Sequence, residues 1–351
     1  MLAIHHSKNS PTNFSHYWIE YCEKKNLPYK IVDCYANDLI AQLDGCNGLM
    51  WHWDLTHYKA ALFARQLTLS LESIGIKVFP GINTGWHYND KLGQKYLMEA
   101  IGAPLVKSYV FFSKQEALKW SRETTYPKVF KLRTGAGSSN VRLVKNNQTA
   151  KRLIRKAFGS GFHQIDPINR LKERLWIVRR DKNFASLKKL ITGIIRLFVV
   201  KEVEKFSQKE KGYIYFQDYL PYNKSDTRIV VIGDRSFGMV RHCRTGDFRA
   251  SGSGLIDYNH KLINKDCVRT AFETAKKLNV QSIAIDFIKQ ADVPCQIIEI
   301  SYAFIPFKFP GYWDRDLVWH EGEITPEEFM IEDFIQSLDN NVNKTIIQQA
   351  S

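Results

Sequence analysis

The sequence lacks the features that mark membrane, secreted and zinc-binding proteins. No segment contains eighteen consecutive apolar residues, so the sequence predicts no transmembrane helix. Its first residues indicate a short strand and a polar helix, without the charged and then apolar pattern of a signal peptide. The six cysteines are scattered and include no Cys-x-x-Cys pair. We therefore expect free thiols, no structural zinc and a cytoplasmic protein.

Common catalytic and nucleotide-binding motifs are also missing. The sequence has no Gly-x-x-x-x-Gly-Lys-Ser/Thr loop and no Gly-x-Gly-x-x-Gly turn, which argues against a P-loop or a dinucleotide-binding fold. No arrangement of Ser, His and Asp or of Cys and His indicates a protein nucleophile.

The stretch from Pro127 to Val141 has the strongest functional pattern. An apolar strand ends at Lys131, and the loop from Thr134 to Ser139 contains no bulky side chain. Backbone N–H groups of such a loop can close over an anion, and the lysine adds a point charge. The pattern predicts a polyphosphate site, and a plain hairpin is the alternative interpretation of a Gly/Ser loop.

Two later apolar strands each contain one carboxylate. Asp286 lies within 283–288 and Glu299 within 296–301, so a short turn between them would make the strands neighbours. A charge inside an apolar strand is costly unless it is paired or bound to a metal. Because Mg²⁺ uses one or two carboxylates together with phosphate oxygens, the two strands predict a magnesium site.

Together these segments resemble the ATP-grasp superfamily, nearest the carboxylate–amine ligases of the ribosomal-protein glutamate-ligase and D-alanine-ligase type. The resemblance covers roughly residues 80–305 and includes the strand lysine, the small-residue loop, an Asp-x-Arg pair and the two carboxylates in the family's order. It implies an α/β (α+β) ATP-grasp fold that uses ATP and Mg²⁺.

The resemblance also implies roles for individual residues. Nucleotide binding would involve Lys91, Lys131, Thr134, Gly135, Gly137, Ser138, Ser139, Gln217, Asp218, Tyr219, Leu220 and Asp226. Catalytic charge neutralisation would involve Arg228 and Arg249, and metal binding Asp286, Glu299 and Ser301. The family has asparagine where this chain has Ser301, and a serine hydroxyl is shorter. This difference predicts a weaker metal site and leaves open a site without turnover.

The predicted elements divide the chain into four parts. Alternating strands and helices in residues 1–88 predict a Rossmann-like N-terminal domain with a parallel sheet. Residues 89–215 would form the central ATP-grasp subdomain, and 216–325 the C-terminal subdomain with the metal site. Residues 326–351 would form a final helix, because Thr325-Pro-Glu-Glu is a capping box with proline at the first helical position.

Basic residues are concentrated in one segment. The chain has a net charge of +14, and residues 151–215 contain seventeen Lys or Arg against six Asp or Glu. Within a predicted insertion at 159–211, apolar residues recur at helical spacing at Phe184, Leu187, Ile191, Ile194 and Phe198. The basic residues that lie off this face are Lys188, Lys189, Arg196 and Lys205.

Three interpretations of the insertion stay open. It can be an ordinary helix packed on the ligase body, an amphipathic helix at an anionic membrane surface, or part of a cleft for an acidic acceptor. The acceptor would be an anionic glycan with uronic acids or, as a lesser option, a nucleic acid, for which the sequence has no motif.

The predicted function follows from the resemblance. ATP would phosphorylate a carboxylate, and an amine would attack the acyl phosphate, with decoration of a surface polysaccharide as the favoured setting. The alternatives are an ATP-grasp kinase acting on a hydroxyl and a non-catalytic nucleotide-binding protein. Homo-oligomers and peripheral membrane association also stay open.

Aromatic and histidine clusters in the first domain allow a structural or a functional interpretation. Trp51-His-Trp-Asp54 would follow a strand at the edge where ligands bind in α/β sheets, and His5 and His6 end the first strand. We favour packing in the core of the first domain.

Overall fold

The computed structural model describes residues 1–349 apart from 9, 11, 55–57, 136–139, 165–170, 172–173, 180–181, 196–208 and 291–292. Three sheets follow one another along the chain. No helix among the residues thus described has the length and apolar content needed to cross a bilayer.

The first sheet is parallel, as the alternation of strands and helices predicts. Its strands are β1 (Leu2–His5), β2 (Tyr29–Val32), β3 (Gly48–Met50) and β4 (Lys77–Phe79). They lie in the order β2-β1-β3-β4. The connecting helices are α1 (Ser15–Lys24), α2 (Leu39–Gln42), α3 (Tyr58–Ser73) and α4 (Ile82–Gly85). Buried residues of α1 and α3 belong to separate hydrophobic clusters, so the two helices cover different parts of this domain.

The aromatic and histidine cluster of this domain is part of its core. Trp51 and Trp53 are buried, and the His52 ring stacks on Phe14 with ring centroids 3.7 Å apart. His52 Nδ1 accepts a hydrogen bond from the Phe14 backbone N–H at 3.0 Å. Burial lowers the pKa of His52 to about 3. His5 is buried in the same way and accepts from the Cys34 N–H. The packing interpretation is confirmed for these four residues, whereas His6 is only partly buried, beside Ser15.

The second sheet is antiparallel and provides one wall of the later site. Its strands are β5 (Ser108–Phe111), β6 (Lys128–Lys131), β7 (Arg142–Val144) and β8 (Ile214–Asp218), in the order β5-β8-β6-β7. The helices α6 (Lys114–Glu123) and α7 (Asn147–Ala157) pack on it, whereas α5 (Lys91–Ala100), which precedes it in the chain, packs on the third sheet. Each of these helices begins after a capping side chain that accepts a hydrogen bond from a backbone N–H. The capping residues are Asp90 for α5, Ser113 for α6 and Asn146 for α7.

The two ends of the basic insertion meet in an isolated bridge outside the sheet. Phe162 and Glu210 exchange two backbone hydrogen bonds of 2.8–2.9 Å. Between them, residues 174–179 are helical, and α8 spans Phe184–Ile195, in agreement with the predicted apolar spacing. Phe198, Arg196 and Lys205 lie outside the described residues, and so does the side chain of Lys189.

The apolar face of α8 does not pack on the rest of the described chain. The exposed fractions are 81% for Phe184, 43% for Leu187, 50% for Ile191 and 45% for Ile194. The interpretation of α8 as a helix packed on the ligase body through this face is therefore wrong for the described residues. Sequence periodicity identifies an apolar face but not the surface that covers it.

The third sheet is antiparallel and carries the predicted carboxylates. Its strands are β9 (Ser225–Ile232), β10 (Arg235–His242), β11 (Ile256–Asp257), β12 (Ser282–Ile288), β13 (Gln296–Ser301), β14 (Phe309–Trp313) and β15 (Trp319–Ile324). The order is β13-β12-β9-β10-β14-β15, and β11 pairs with β10. The remaining helices are α9 (Lys265–Leu278) and α10 (Pro326–Gln349). The start of α10 at Pro326 confirms the predicted helix start.

Helix α10 joins the first and third sheets. Its apolar residues Ile331 and Phe334 are buried in one cluster with Trp18 of α1 and Phe237 of β10. On another part of the third sheet, α9 packs its Ala271 and neighbouring residues against β9 and β12. Both helices therefore hold the strands that position the site.

The expectation of six free thiols is wrong for one pair. Cys267 on α9 and Cys295 just before β13 form a disulfide. The two residues are 28 positions apart, and they meet because α9 packs on the strands that surround them. Sequence spacing gives no sign of a contact that depends on helix–sheet packing. The other cysteines are free: Cys22, Cys34, Cys46 and Cys243.

The disulfide predicts a specific thiol count. Protein purified without reductant and then unfolded should react with a thiol reagent at four cysteines, and at six after reduction. Cys243→Ser, which removes a free thiol, should lower both counts by one. Six reactive thiols in the unreduced parent protein would show that Cys267 and Cys295 are not bonded.

Candidate functional site

A cleft of about 860 Å³, counted to its open mouth, lies between the second and third sheets. Residues that sequence analysis selected line much of it: Lys91, Lys131, Gly135, Gln217, Asp218, Tyr219, Leu220, Asp226, Arg249, Asp286 and Glu299. Gly137, Ser138 and Ser139 lie outside the described residues. Thr134, Arg228 and Ser301 are described but do not line the cleft.

Lys131, the last residue of β6, is buried and lines the cleft. Successive residues of β6 point to opposite faces, so Phe130 enters the hydrophobic core while Val129 and Lys131 face the cleft. The Lys131 Nζ donates to Gln217 Oε1 at 2.7 Å and to the Ile298 carbonyl at 3.3 Å. Burial lowers the pKa of Lys131 to about 8. A buried amine of this kind gains more from an anionic ligand than an exposed lysine does.

Lys91 connects the helix α5 to both walls. It is the first residue of α5, held there because Asp90 caps the helix by accepting from the Gly93 N–H at 3.0 Å. Its Nζ lies 2.8 Å from Glu299 Oε1 and donates to the Gly135 carbonyl, also at 2.8 Å. Lys91 is 5% exposed and lines the cleft, so its charge acts on groups within the cleft rather than in open solvent.

The described start of the predicted phosphate loop is fixed at two points. The Gly135 N–H donates to Asn89 Oδ1 at 2.6 Å, and the Thr134 hydroxyl donates to Glu210. Glu210 is buried and also accepts from the Tyr213 hydroxyl. Glu210 is not among the residues predicted from the sequence, because an acidic residue between two lysines is typical of an exposed surface. Its position ties the base of the insertion to the loop.

The end of β8 and the residues that follow it form the opposite rim of the cleft. Gln217 Nε2 donates to Ser108 Oγ at 3.1 Å, and Asp218 accepts from Lys128 Nζ at 2.6 Å. Tyr219 packs edge-on against Phe248 with ring centroids 5.8 Å apart. Apolar side chains also line this part of the cleft: Val129, Val141, Leu220, Ile288 and Ile298. The combination suits a flat, partly apolar ring next to polar backbone.

Asp286 and Glu299 are direct partners across β12 and β13, as their spacing predicts. Arg228 of β9 lies opposite Asp286 on the other side. The three side chains therefore form one row across three strands. This places one arginine and two carboxylates next to Lys91 and Lys131.

A buried ion network supports the row. Arg228 Nε and Nη2 donate to the two oxygens of Asp286 at 2.7 and 2.9 Å. Arg241 pairs with Asp226 through two bonds of 2.6 and 2.8 Å and reaches Asp286 Oδ2 at 2.8 Å. Burial alone would raise the pKa of Asp286, but the two guanidinium groups hold that pKa well below its usual range. For Asp226, burial is the larger effect and raises the pKa despite Arg241.

Arg241 is not among the predicted site residues, although the pairing of β9 with β10 indicates its position. β9 and β10 form a hairpin whose turn falls after Ile232, and Ile232 pairs with Arg235. Counting away from the turn along both strands brings Arg241 opposite Asp226. Asp226 was predicted to contact the nucleotide. Its carboxylate instead forms a salt bridge with Arg241, although Asp226 still lines the cleft.

Arg249 enters the cleft from the loop after β10. It forms a bidentate pair with Asp247, with Nε–Oδ1 and Nη2–Oδ2 distances of 2.9 and 2.7 Å. In the same loop, Arg244 is buried, donates to the Gly252 carbonyl and lies 4.5 Å from the Trp176 ring centroid. The insertion therefore contacts the loop that carries Arg249.

The donor set fits a magnesium ion held by two carboxylates. Glu299 is partly exposed and lines the cleft with Asp286, whose oxygens already accept three guanidinium contacts. A carboxylate has about four acceptor positions, so one remains for a metal. Ser301 Oγ instead donates to the Ala303 carbonyl at 2.6 Å and accepts from its N–H at 3.1 Å. Ser301 would leave this turn to act as a third ligand.

No protein-family model matches the sequence, and no curated protein is significantly similar to it. Solved structures do match. D-cycloserine synthetase DcsG is 11% identical, with a TM-score of 0.57 over 96% of this chain and 99% of that chain. A RimK domain ATP-grasp protein from Sphaerobacter thermophilus is 14% identical, with a TM-score of 0.51 over 85% and 89%.

A third match was solved with bound nucleotide. The biotin carboxylase domain of Hydrogenobacter thermophilus 2-oxoglutarate carboxylase, in complex with MgADP and bicarbonate, is 14% identical. Its TM-score is 0.53 over 86% of this chain and 64% of that chain. At these identities the likeness establishes the fold. The parallel first sheet agrees with the sequence prediction, and the chain has the ATP-grasp fold.

Proposed function

We propose that this chain is an ATP- and magnesium-dependent ligase that joins a carboxylate to an amine through an acyl phosphate. The observation that carries the proposal is the convergence of four charged groups in the cleft of an ATP-grasp fold. These groups are Lys91, Lys131, Asp286 and Glu299. Cations and a metal-binding carboxylate pair within one cleft are what a polyphosphate and its Mg²⁺ require.

The nucleotide would lie along the cleft with its base at the rim formed by 217–220. The apolar lining there can contact the faces of the adenine ring, while the backbone and Asp218 can contact its polar edge and the ribose. The phosphates would then extend toward Lys131 and Lys91. A phosphate near Lys91 would compete with its contact to Glu299, which would release that carboxylate.

Glu299 and Asp286 are the residues that would hold magnesium. When bound, the ion would neutralise charge on the β- and γ-phosphates of ATP. Lys131 would stabilise the negative charge that develops on the leaving ADP. Arg228 and Arg249 would orient the acceptor carboxylate and offset charge on the acyl phosphate, once each exchanges part of its present carboxylate contact for substrate.

The chemical balance needs no protein nucleophile. An oxygen of the acceptor carboxylate attacks the γ-phosphorus of ATP, and the bond to the β-bridging oxygen breaks to leave ADP. The amine nitrogen then attacks the acyl carbon, phosphate leaves, and the nitrogen loses one proton to solvent as the amide forms. The positive charge of residues 151–215 favours an anionic acceptor such as a uronic-acid glycan.

The reaction class can be tested by measuring ADP release with carboxylates and amines, alone and in pairs. A ligase gives sustained ADP release only when both are present. A kinase would release ADP with a hydroxyl acceptor alone. A protein that binds ATP and releases no ADP with any pair would instead be a non-catalytic nucleotide-binding protein, which the engaged hydroxyl of Ser301 also permits.

The lowered pKa of Lys131 predicts a pH-dependent ATP affinity. The amine is protonated below pH about 8 and loses its charge above it, so affinity should fall as pH rises through about 8. Lys131→Met should weaken MgATP binding by roughly 10- to 100-fold at neutral pH, the value of a charge-assisted contact. It should also flatten the pH profile. Calorimetric titrations at several pH values measure both effects.

The control for this experiment is Lys145→Met, which removes an exposed lysine outside the cleft. It should leave both the affinity and its pH profile unchanged. An Lys131→Met protein that binds MgATP as tightly as the parent would exclude a phosphate contact for this residue.

The carboxylate pair predicts a severe loss of turnover in Glu299→Gln. The amide keeps the shape of the side chain but gives the metal no charged ligand, so ADP release should fall at least about a hundredfold. Glu323→Gln, which changes an exposed carboxylate on β15, should retain full activity. Thermal unfolding should show that both variants are folded. Undiminished ADP release by Glu299→Gln would mean that the metal lies elsewhere.

A further inference from the structure

Helix α8 carries a continuous apolar surface that faces away from the described protein. We call the four residues of this surface the exposed stripe: Phe184, Leu187, Ile191 and Ile194. At 3.6 residues per turn they lie within one face of the helix. Phe184 alone is 81% exposed, which is unusual for a phenylalanine at a predicted core-facing position.

The back of α8 is the side that contacts the protein. Arg174 lies against Gly193, so close that a Cβ at Gly193 would be 2.6 Å from Arg174 Nη1. Gly193 is on the opposite side of the helix from the exposed stripe, about 140° around its axis from the stripe's centre. The helix is therefore held by one side, and the stripe is directed outward.

Basic residues accompany the stripe. Residues 171–195 contain seven Lys or Arg and two Asp or Glu, although one of the seven, Arg174, lies at the back of α8. Lys188, on α8 itself, and Lys182, just before it, are exposed. Apolar side chains flanked by lysines and arginines on a helix surface are typical of segments that lie in the interface of an anionic membrane.

We propose that the exposed stripe docks this chain on an anionic lipid surface, with α8 parallel to the membrane plane. The apolar side chains enter the boundary between headgroups and acyl chains, and the neighbouring basic residues contact lipid phosphates.

Other occupants fit the observations less well. A two-fold dimer through this face would bring the same basic segments of two copies together, and like charges repel. A nucleic acid would satisfy the lysines and arginines through its phosphates but would leave the four apolar side chains without a partner. A lipid surface accommodates both features at once.

Vesicle sedimentation of the full-length protein tests the proposal. The parent protein should sediment with vesicles of phosphatidylcholine and phosphatidylglycerol in equal parts, and much less with phosphatidylcholine alone. The double variant Phe184→Ser, Ile191→Ser should reduce the partition coefficient at least about tenfold. Added salt should weaken binding of the parent protein, because it screens the basic residues.

The matched control is Leu62→Ser, Leu69→Ser. These leucines are also exposed, at 74% and 53%, and lie seven residues apart on α3, as Phe184 and Ile191 do on α8. The control variant should sediment like the parent protein. All variants should bind MgATP equally, which shows that they are folded and separates this proposal from the proposed function.

Three results would overturn the proposal. The first is a parent protein that does not sediment with anionic vesicles, and the second is a double variant that binds them as well as the parent does. The third is light scattering that shows a dimeric parent and a monomeric double variant, because the stripe would then be covered by a second copy of this chain.

Discussion

The site depends on the pairing of two buried aspartates with two arginines in the third sheet. Asp226 and Asp286 are each about 95% buried, and each would be costly as an isolated charge. The sheet register brings Arg241 opposite Asp226 and Arg228 opposite Asp286, and Arg241 joins the two pairs. The backbone pairing of β9 with β10 and β12 therefore determines where the charges lie.

This network positions the rest of the cleft. Because Asp286 is fixed from one side by Arg228, its partner on the other side, Glu299, can contact Lys91 and remain partly exposed. Lys131 has no comparable ion pair of 4 Å or less within the described residues, and burial lowers its pKa. The cleft thus holds a buried amine beside a balanced cluster of charges, an arrangement that a phosphate would complete.

Much of this arrangement could be predicted from local sequence. The pairing of Asp286 with Glu299 follows from two short apolar strands and a short turn, and Lys131 follows from its place at a strand end. Glu210 and the Cys267–Cys295 disulfide could not be predicted in this way, because both depend on packing between segments that are distant in the sequence. Arg241 is an intermediate case, since the hairpin register reveals it once the turn is placed.

The insertion shows the limit of periodicity more clearly. The spacing of Phe184, Leu187, Ile191 and Ile194 predicts the helix correctly, but the same spacing suits a core-facing helix and a membrane-facing one. Only the exposure of these side chains distinguishes the two. The insertion also reaches the site, through Glu210 at the phosphate loop and Trp176 at the Arg249 loop.

Trapping of the acyl phosphate with hydroxylamine tests the proposed chemistry without knowledge of the natural amine. Hydroxylamine replaces the amine, so that a hydroxamate forms from each carboxylate that the enzyme activates. We expect a uronic acid or another anionic carboxylate to give hydroxamate and ADP in equal amounts, in a reaction that requires both ATP and Mg²⁺. ADP formation with phosphate transferred to a hydroxyl, and without hydroxamate from any carboxylate, would contradict the assignment as a carboxylate–amine ligase.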